Sequence, residues 1–353
     1  MTIILGSLCC VLGGIGVGSF LLPLKFSKKW RWENSWLVGT VFMYVVLPLA
    51  ALFVLIPKFS EIYGQTPWKD LGMIYLFGLV QGTGALVFTY GITVMGLALG
   101  YALMIGCISL FSLLVPLFGA HLDRVTKLDG VTLLVGCFIL LIGIGLAGRA
   151  GLERESALGQ SEPAKERKKL SIPLIVVIVL WSGIANAMFY FTFEFQQSMK
   201  MLAIGQYHVP AYAWGFLNTL PFFLGMFTIN FILTISKMVK DKSLGNFWSA
   251  PGLKREYLLG ASIGVLWYVG QGVGYTAGQA TLGPLGVAVG AALFMGTMMI
   301  VSNVLGVRTG EWVGVPRVAM RKLYVALALL VIAMVVIAVG NYLQQVVFAV
   351  GKG

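Results

Sequence analysis

Charge is scarce in this chain, and its scarcity indicates the solvent that surrounds the protein. Only 11% of the 353 residues are charged, against about a quarter in globular proteins, whereas 58% are hydrophobic. The apolar residues form runs long enough to cross a bilayer, which excludes a water-soluble globular domain. The net charge of +12 does not indicate nucleic-acid binding, because the basic residues fall in short gaps between apolar runs. We therefore expect a protein embedded in the lipid bilayer, with no nucleic acid among its partners.

Residues that carry catalysis or bind metals are also few. The two histidines, His121 and His208, are far apart in the sequence, and no pattern pairs them as metal ligands. The four cysteines lie inside apolar runs with neither zinc-site nor disulfide spacing, so we interpret them as small packing residues. Paired carboxylates inside an apolar helix are absent, as are phosphate-binding glycine loops. The sequence thus predicts neither an enzyme nor a metal or cofactor site.

A sequence pattern occurs twice in the chain, 190 positions apart. Gln-Gly-Thr-Gly at 81–84 matches Gln-Gly-Val-Gly at 271–274, and the ungapped alignment of 81–106 with 271–296 holds nine identities in its 26 positions, these included. A repeat of this length predicts two related halves rather than a solenoid. In membrane proteins, internal repeats are typical of transporters, whose substrates bind between the halves.

Ten apolar runs of roughly 20 residues follow one another, and each is long enough to span a bilayer. They are 3–24, 36–56, 71–92, 97–119, 131–148, 172–193, 212–235, 257–277, 282–307 and 323–342. The repeat falls on the third and fourth runs and again on the eighth and ninth. Because five runs separate equivalent positions, each run and its copy cross the membrane in opposite directions. We predict an all-α fold of ten transmembrane helices, arranged as a five-plus-five inverted repeat.

The predicted halves are 1–148 and 172–353, and a charged segment, 149–171, joins them. This segment contains Pro163 and is expected to be a solvated cytoplasmic linker. Orientation follows from lysine and arginine, which mark cytoplasmic loops. One set of loops, which includes the linker, holds 19 of the 25 basic residues. We therefore expect both termini to face the opposite, periplasmic side.

Amide side chains deep inside the apolar runs are the candidates for a binding site, because an unpaired amide in a bilayer costs several kcal/mol. Gln271 follows Trp267 by four residues, which puts the amide and the aromatic ring on one helix face. Gln81 follows Phe77 at the same spacing in the other copy of the repeat. Such a pair suits a sugar, since an amide hydrogen-bonds hydroxyls while a ring packs against the C–H face.

Asn186 is a third candidate amide, and it shares a helix face with Ser182, next to Trp181. The predicted substrate-binding residues are Trp267, Gln271, Asn186, Trp181 and Gln81. The alternative is that these amides only hydrogen-bond neighbouring helices, an interaction worth about 0.6 kcal/mol on average.

A proton-coupled transporter needs a titratable group along its pathway. Glu194, at the outer end of the sixth run, is the predicted proton-coupling residue, and an ordinary interfacial charge is the alternative. Glu33, Glu256 and Glu311 lie at the predicted cytoplasmic helix ends beside basic residues, so we expect them in ion pairs.

Several segments stand in an order that is typical of one family. They are 14–36, with Lys-Lys-Trp-Arg-Trp-Glu at 28–33, then 141–145 with 149–151, 239–244 and 310–312. In these segments the chain resembles the bacterial L-rhamnose–proton symporters, a branch of the drug/metabolite transporter superfamily. The resemblance covers nearly the whole chain. It implies ten helices and uptake of a deoxysugar with a proton across the bacterial inner membrane.

The chain departs from the family pattern at 85–87, where Ala-Leu-Val stands in place of more polar residues, and at Gln81, where an aromatic is more usual. The implied substrate is therefore L-rhamnose or a related deoxysugar, moved by alternating access. Two alternatives stay open: an exporter of amphipathic small metabolites, and a membrane receptor that transports nothing. The sequence leaves open whether the protein is a monomer or a homodimer.

Overall fold

The computed structural model describes residues 3–95, 97–159, 171–249 and 252–347, except the side chains at 89, 92–102, 172, 194–195 and 346–347. Regular secondary structure in these ranges is entirely helical. The α-helices are α1 Ile3–Ser19, α2 Trp32–Val41, α3 Leu47–Leu55, α4 Phe59–Gln65, α5 Trp68–Met95, α6 Leu97–Ala120, α7 Leu128–Ala157, α8 Ile172–Asn186, α9 Met188–Phe195, α10 Gln197–Met201, α11 Phe216–Lys240, α12 Asn246–Ser249, α13 Leu253–Trp267, α14 Thr276–Gln279, α15 Gly286–Arg308 and α16 Arg317–Tyr342. π-Helical stretches occupy Phe42–Val46, Leu202–Gln206, Tyr268–Tyr275 and Leu343–Val347.

Nine helical stretches in the described ranges are long and apolar enough to cross a membrane. Large hydrophobic side chains cover their outer surfaces: Phe138 of α7 is 67% exposed, and Val177 of α8 is 60% exposed. Such surfaces are stable in lipid rather than in water, so the chain is a multi-pass membrane protein. The eighth predicted run, 257–277, falls in the stretch formed by α13, Tyr268–Tyr275 and α14, which is not one of the nine. The tenth span therefore stays a prediction.

Two predicted segments differ from the helices in the structure. The run 172–193 is not one helix, because α8 ends at Asn186 and α9 starts two residues later. The Asn186 amide donates to the Ser182 carbonyl oxygen at 2.9 Å, and such side-chain bonding competes with the helix backbone. The predicted linker 149–171 begins as helix, since α7 continues to Ala157. Residues 160–170 lie outside the described ranges.

Helices pack in matching pairs across the two predicted halves. α5 packs on α8 and α11, while the stretch from α13 through Tyr268–Tyr275 packs on α1 and α2. α6 packs on α8 and α7, and α15 correspondingly packs on α1 and α16. α7 and α16 pack extensively against each other. Each of these contacts recurs when the helices of one predicted half are exchanged for those of the other.

Glycines permit the closest helix approaches, as their spacing predicts. A Cβ at Gly84 of α5 would lie 2.6 Å from the Cβ of Ala185 in α8. A Cβ at the equivalent Gly274 would lie 2.6 Å from the Cα of Gly13 in α1. Non-bonded carbon atoms do not come this close, so a side chain at either position would force the helices apart. The two equivalent glycines therefore have the same packing role.

One end of the bundle gathers ion pairs between basic loops and helix ends. Lys25 pairs with Glu311, and Arg154 Nη1 lies 3.2 Å from the same carboxylate. The hydrogen bond from Lys25 holds the pKa of Glu311 below its usual value, and the charge of Arg154 lowers this pKa further. The expected ion pairing of Glu311 is confirmed.

The other two carboxylates have hydroxyl partners rather than ion pairs among the described residues. Glu33 and Glu256 are both buried, at 1% exposure each. Glu33 accepts a hydrogen bond from the Ser243 hydroxyl at 2.9 Å, and Glu256 accepts one from the Ser27 hydroxyl at 2.5 Å. Within the described ranges no cation lies within salt-bridge distance of either carboxylate. Because both carboxylates are buried at packed helix ends, the hydroxyl groups of neighbouring serines are their hydrogen-bond donors.

Candidate functional site

An aromatic cluster fills the core where α9, α11 and the π stretch Tyr268–Tyr275 meet. Phe189 of α9 stacks on Phe223 of α11, with ring centroids 5.4 Å apart and planes at 16°. Tyr275 packs edge-on against Tyr190, with centroids 5.0 Å apart. All four rings are buried. The cluster therefore joins the broken helix α8–α9 to the π stretch through close aromatic contact.

Trp267 and Gln271, the predicted aromatic–amide pair, both lie in this core. Trp267 is 9% exposed, and its ring packs edge-on against Phe223 and Tyr44, with centroids 5.2 Å away in each case. Gln271 is 7% exposed, and its amide contacts the Tyr190 hydroxyl. Among the described residues, no other protein group hydrogen-bonds this amide. Gln271 thus keeps hydrogen-bonding capacity next to several aromatic rings, which is the combination that a sugar requires.

Gln271 lies on a π stretch, Tyr268–Tyr275, rather than on a regular α-helix. π turns are rare in proteins, and those that occur often lie at functional sites. The same stretch presses against α1, since a Cβ at Gly270 would lie 2.5 Å from the carbonyl oxygen of Gly13. Glycine at this position lets the backbone contact α1 while the neighbouring Gln271 side chain reaches α9.

Gln81 and Asn186 lie at the break between α8 and α9, and both already have protein partners. Gln81 is 9% exposed, and its Oε1 accepts a hydrogen bond from the Phe189 N–H at 3.1 Å. Asn186 bonds to Ser182 in its own helix. A Cβ at Gly84 would lie 2.9 Å from the Asn186 Nδ2, which places both amides at the contact between α5 and α8. The structure therefore brings Gln81 and Asn186 together, and Phe189 connects them to the aromatic cluster.

The remaining predicted residues are Trp181 and Glu194. Trp181 is 44% exposed and shares an outer face of α8 with Leu174 and Val177. Glu194 belongs to α9, but its side chain lies outside the described part of the chain. The roles of both residues stay predictions from the sequence.

Three core residues were not among those predicted for the site. Asn218 of α11 is fully buried, and neither its Oδ1 nor its Nδ2 has a hydrogen-bond partner among the described residues. The Tyr268 hydroxyl is also buried, and it lies near the Thr219 side chain. An unpaired buried polar group costs about 1–3 kcal/mol, so such groups point to a ligand or an ordered water. Asn218 was visible as an amide in an apolar run and Tyr190 through its spacing from Asn186, whereas no sequence signal singled out Tyr268.

Two cavities lie at opposite ends of α15. The Trp214 cavity has a volume of about 640 Å³ and its lining includes Trp214, Lys200, Gln279, His121, Gly286 and Val287. The Glu311 cavity has about 170 Å³ and its lining includes Glu311, Lys25, Leu305 and Gly306. Ligand cavities generally measure roughly 300–1,000 Å³, so only the first of these two has room for a small molecule. Lys25 and Glu311, which both line the second cavity, pair with each other.

Comparison with known proteins identifies the family. The family model described as L-rhamnose-proton symport protein matches residues 1–343. The L-rhamnose-proton symporter of Escherichia coli (strain 55989 / EAEC) is 26% identical over 348 residues, which cover 94% of this chain and 96% of that protein. Proteins of the same name from Escherichia coli O8 (strain IAI1) and Shigella boydii serotype 18 align with the same identity and coverage. This chain therefore belongs to the L-rhamnose-proton symport protein family, whose members are membrane transporters rather than enzymes.

Proposed function

We propose that the protein is a secondary active transporter that imports L-rhamnose, or a related deoxysugar, together with a proton. The match of the family model to residues 1–343 is the observation that carries this proposal. Relatives that align over 94% of the chain bear the name L-rhamnose-proton symporter. At 26% identity the sugar itself needs a direct test, because binding pockets change their specificity with few substitutions.

The matching helix pairs support a five-plus-five inverted repeat with alternating access between the halves. In such a transporter one half moves against the other about a fixed site near the membrane midplane. The contacts of α5 with α8 and of α13 and Tyr268–Tyr275 with α1 are those that an exchange of the two halves requires. The break after α8 and the π stretch supply the irregular backbone that lines substrate sites in this class of protein.

The two cavities differ in size, which supports a state with more space at one end of α15 than at the other. The Trp214 cavity has about 640 Å³ and the ion-paired Glu311 cavity about 170 Å³. Basic loops gather around Glu311, so the positive-inside rule assigns this end to the cytoplasm and both termini to the periplasm. Reporter fusions after Gly151 and after Gly353 test this orientation, and a cytoplasmic carboxyl terminus contradicts it.

The proposed substrate site is built on Trp267 and Gln271, with Asn186 as a further predicted member, whereas Gln81 already bonds the Phe189 N–H and Trp181 lies on the outer face of α8. The amide of Gln271 and the aromatic cluster beside it support binding of a hydroxyl-rich ring. Sugar C–H faces pack on aromatic rings, and an unpaired buried amide gains a partner when a hydroxyl enters. The unpartnered Asn218 is a natural additional partner for a hydroxyl.

Uptake of labelled sugars into proteoliposomes tests the function directly. We expect L-rhamnose, or a related 6-deoxysugar, to accumulate when the outside is more acidic than the lumen. Without the gradient, the sugar should only equilibrate. Accumulation of no sugar under the gradient, with release of amphipathic metabolites instead, would favour the exporter, and movement of no solute would favour the receptor.

Glu194 is the proposed proton-coupling residue, at the periplasmic end of the sixth predicted run. Protonation of a group whose affinity depends on conformation is needed to couple two fluxes. Glu194→Gln should therefore abolish accumulation driven by the pH gradient but keep sugar exchange. The exposed Glu61, replaced by Gln, serves as the matched control. Normal accumulation by Glu194→Gln would move coupling to another group.

A further inference from the structure

The Trp214 cavity combines a volume suited to a small molecule with side chains that the Trp267–Gln271 site does not use. Its volume is about 640 Å³, and the loop residue Trp214 and Gln279 of α14 form part of its wall. Trp214 is 3% exposed and Gln279 is 4% exposed. Both side chains are therefore held firmly by the protein while one edge of each meets the cavity.

Each of these two side chains has an unused polar group. Gln279 Nε2 donates to the Thr276 carbonyl oxygen at 3.3 Å, but its Oε1 accepts no hydrogen bond from any described residue. The Trp214 indole N–H likewise has no acceptor in the described ranges. The cavity wall thus offers one neutral donor and one neutral acceptor, both without protein partners. Neither atom belongs to the buried unpaired atoms of the described residues, although both residues line the cavity, so both groups are accessible there to the hydroxyl groups of a ligand.

Lys200 and His121 both line this cavity, and the Lys200 Nζ lies 5.1 Å from the centre of the Trp214 ring. Lys200 is less buried than Trp214 or Gln279 and belongs to the rim of the cavity. No carboxylate pairs with it among the described residues. The two deeply buried side chains described in the wall, Trp214 and Gln279, are neutral, and Lys200 lies at the rim, so hydroxyl groups can be bound inside without a charged substrate.

Phe193 connects this cavity to the aromatic cluster. It lines the Trp214 cavity, and its ring lies edge-on to Phe189 at 5.1 Å and to Tyr275 at 5.7 Å. Trp214 also packs edge-on against Phe193, at 6.0 Å. Phe193 therefore lies between the cavity and the aromatic core that contains Gln271.

We infer that the Trp214 cavity is a loading site for a neutral monosaccharide, separate from the Trp267–Gln271 site. In this site the Trp214 ring supports the sugar while its N–H and the Gln279 Oε1 bond hydroxyl groups. The inference rests on the proposed sugar transport and adds a second position along the route. Sugar binds first in the Trp214 cavity and then passes Phe193 to reach Gln271.

Protection of a cysteine in the cavity wall tests the inference. Ala280 lines the cavity, so Ala280→Cys in proteoliposomes should react with a membrane-impermeant maleimide added outside. L-Rhamnose at ten times its dissociation constant should slow this labelling about tenfold, since it occupies most of the sites. Sucrose at equal osmolarity is the control solute, and the chain with its four native cysteines gives the background.

Two variants separate the loading site from the deeper site. In the Ala280→Cys background, Gln279→Leu and Trp214→Phe should each lose most of the protection by L-rhamnose, whereas Gln271→Ala should keep it. Full protection in both Gln279→Leu and Trp214→Phe, or equal labelling with and without sugar in a chain that still transports L-rhamnose, would overturn the inference. Stronger protection by a sugar carboxylate than by L-rhamnose would overturn the assignment of a neutral ligand. Failure of the proposed function is a different result, in which the unmodified chain takes up no sugar at all.

Discussion

Gln81 and Gln271 occupy equivalent positions in the two copies of the repeat, but their surroundings differ. Gln81 lies on the regular helix α5, where its Oε1 accepts a hydrogen bond from the Phe189 N–H at 3.1 Å. Gln271 lies on the π stretch Tyr268–Tyr275, where the Tyr190 hydroxyl is the polar group that its amide contacts. One amide thus holds the start of α9, and the other retains capacity for a ligand. Equivalent sequence positions therefore acquire different roles when the local backbone differs.

The glycines of the same sequence repeat provide the opposite case, because their packing role is the same in both copies. Gly84 contacts α8 and Gly274 contacts α1, each closely enough that a Cβ would lie 2.6 Å from a carbon atom of the neighbouring helix. Close packing requires only the absence of a side chain, which both copies keep. Hydrogen bonding requires a partner in the right place, and that partner differs between the halves.

The largest expected effect is the loss of folded protein when a large side chain replaces Gly84 or Gly274. Gly84→Leu and Gly274→Leu each insert four carbon atoms where not even one fits, and overpacking costs about 1–3 kcal/mol or more. Both variants should give little monodisperse protein in size-exclusion chromatography. Gly64→Leu is a suitable control, because nothing lies within 4 Å of a Cβ there. Normal yields of either variant would show that the repeat glycines do not set the helix spacing.

Removing the Gln271 amide should affect sugar binding more than folding. Gln271→Ala removes a hydrogen-bonding group that has little protein-internal role, so the melting temperature should change little. The affinity for L-rhamnose should fall by about 1–3 kcal/mol, or 5–150-fold, if a sugar hydroxyl loses its partner. Isothermal titration of the purified protein measures this change. An unaltered dissociation constant at normal expression would rule out Gln271 as a binding residue.

Removing the Gln81 amide should affect folding stability more than sugar binding. Gln81→Ala leaves the Phe189 N–H without its acceptor at the break after α8, which costs about 1–3 kcal/mol of stability. The melting temperature should fall while the affinity of the remaining folded protein stays within a few-fold of the original. Thermal unfolding and titration on the same preparations separate the two quantities. A large loss of affinity at an unchanged melting temperature would assign Gln81 to the binding site after all.

Parts of this arrangement were predictable from the sequence, and other parts were not. Apolar runs, the repeat and the glycine spacing predict helices, their pairing and their close contacts, because these depend on composition and periodicity. The interruption between Asn186 and α9 and the π stretch around Gln271 depend on hydrogen-bond register, which residue types do not encode directly. The absence of a partner for Asn218 depends on every neighbouring helix, so the sequence suggested a polar group in the core but not its availability.

The smallest effect on stability is expected at Glu311, a carboxylate that lies outside both copies of the sequence repeat. Glu311 pairs with Lys25 and Arg154, and these partners lower its pKa. The stability from pairing is therefore present above the ordinary carboxyl pKa and is lost as the pH falls through the lowered value. Its side chain is 41% exposed, so water and salt screen the pair, and Glu311→Gln should cost about 1 kcal/mol or less. Thermal unfolding at neutral pH in low and high salt measures this, and a loss that is large and independent of salt would contradict it.

Sugar-driven proton entry into proteoliposomes tests the central claim, that a sugar and a proton move together through the site that contains Gln271. A pH-sensitive dye trapped in the lumen reports protons when L-rhamnose is added outside, and labelled sugar is counted in parallel. The unmodified chain should acidify the lumen in proportion to sugar uptake. Gln271→Ala should need about 5–150 times more sugar for half of the maximal rate, as expected from 1–3 kcal/mol of lost binding. Sugar entry without proton entry, or the same half-maximal concentration in Gln271→Ala, would contradict the claim.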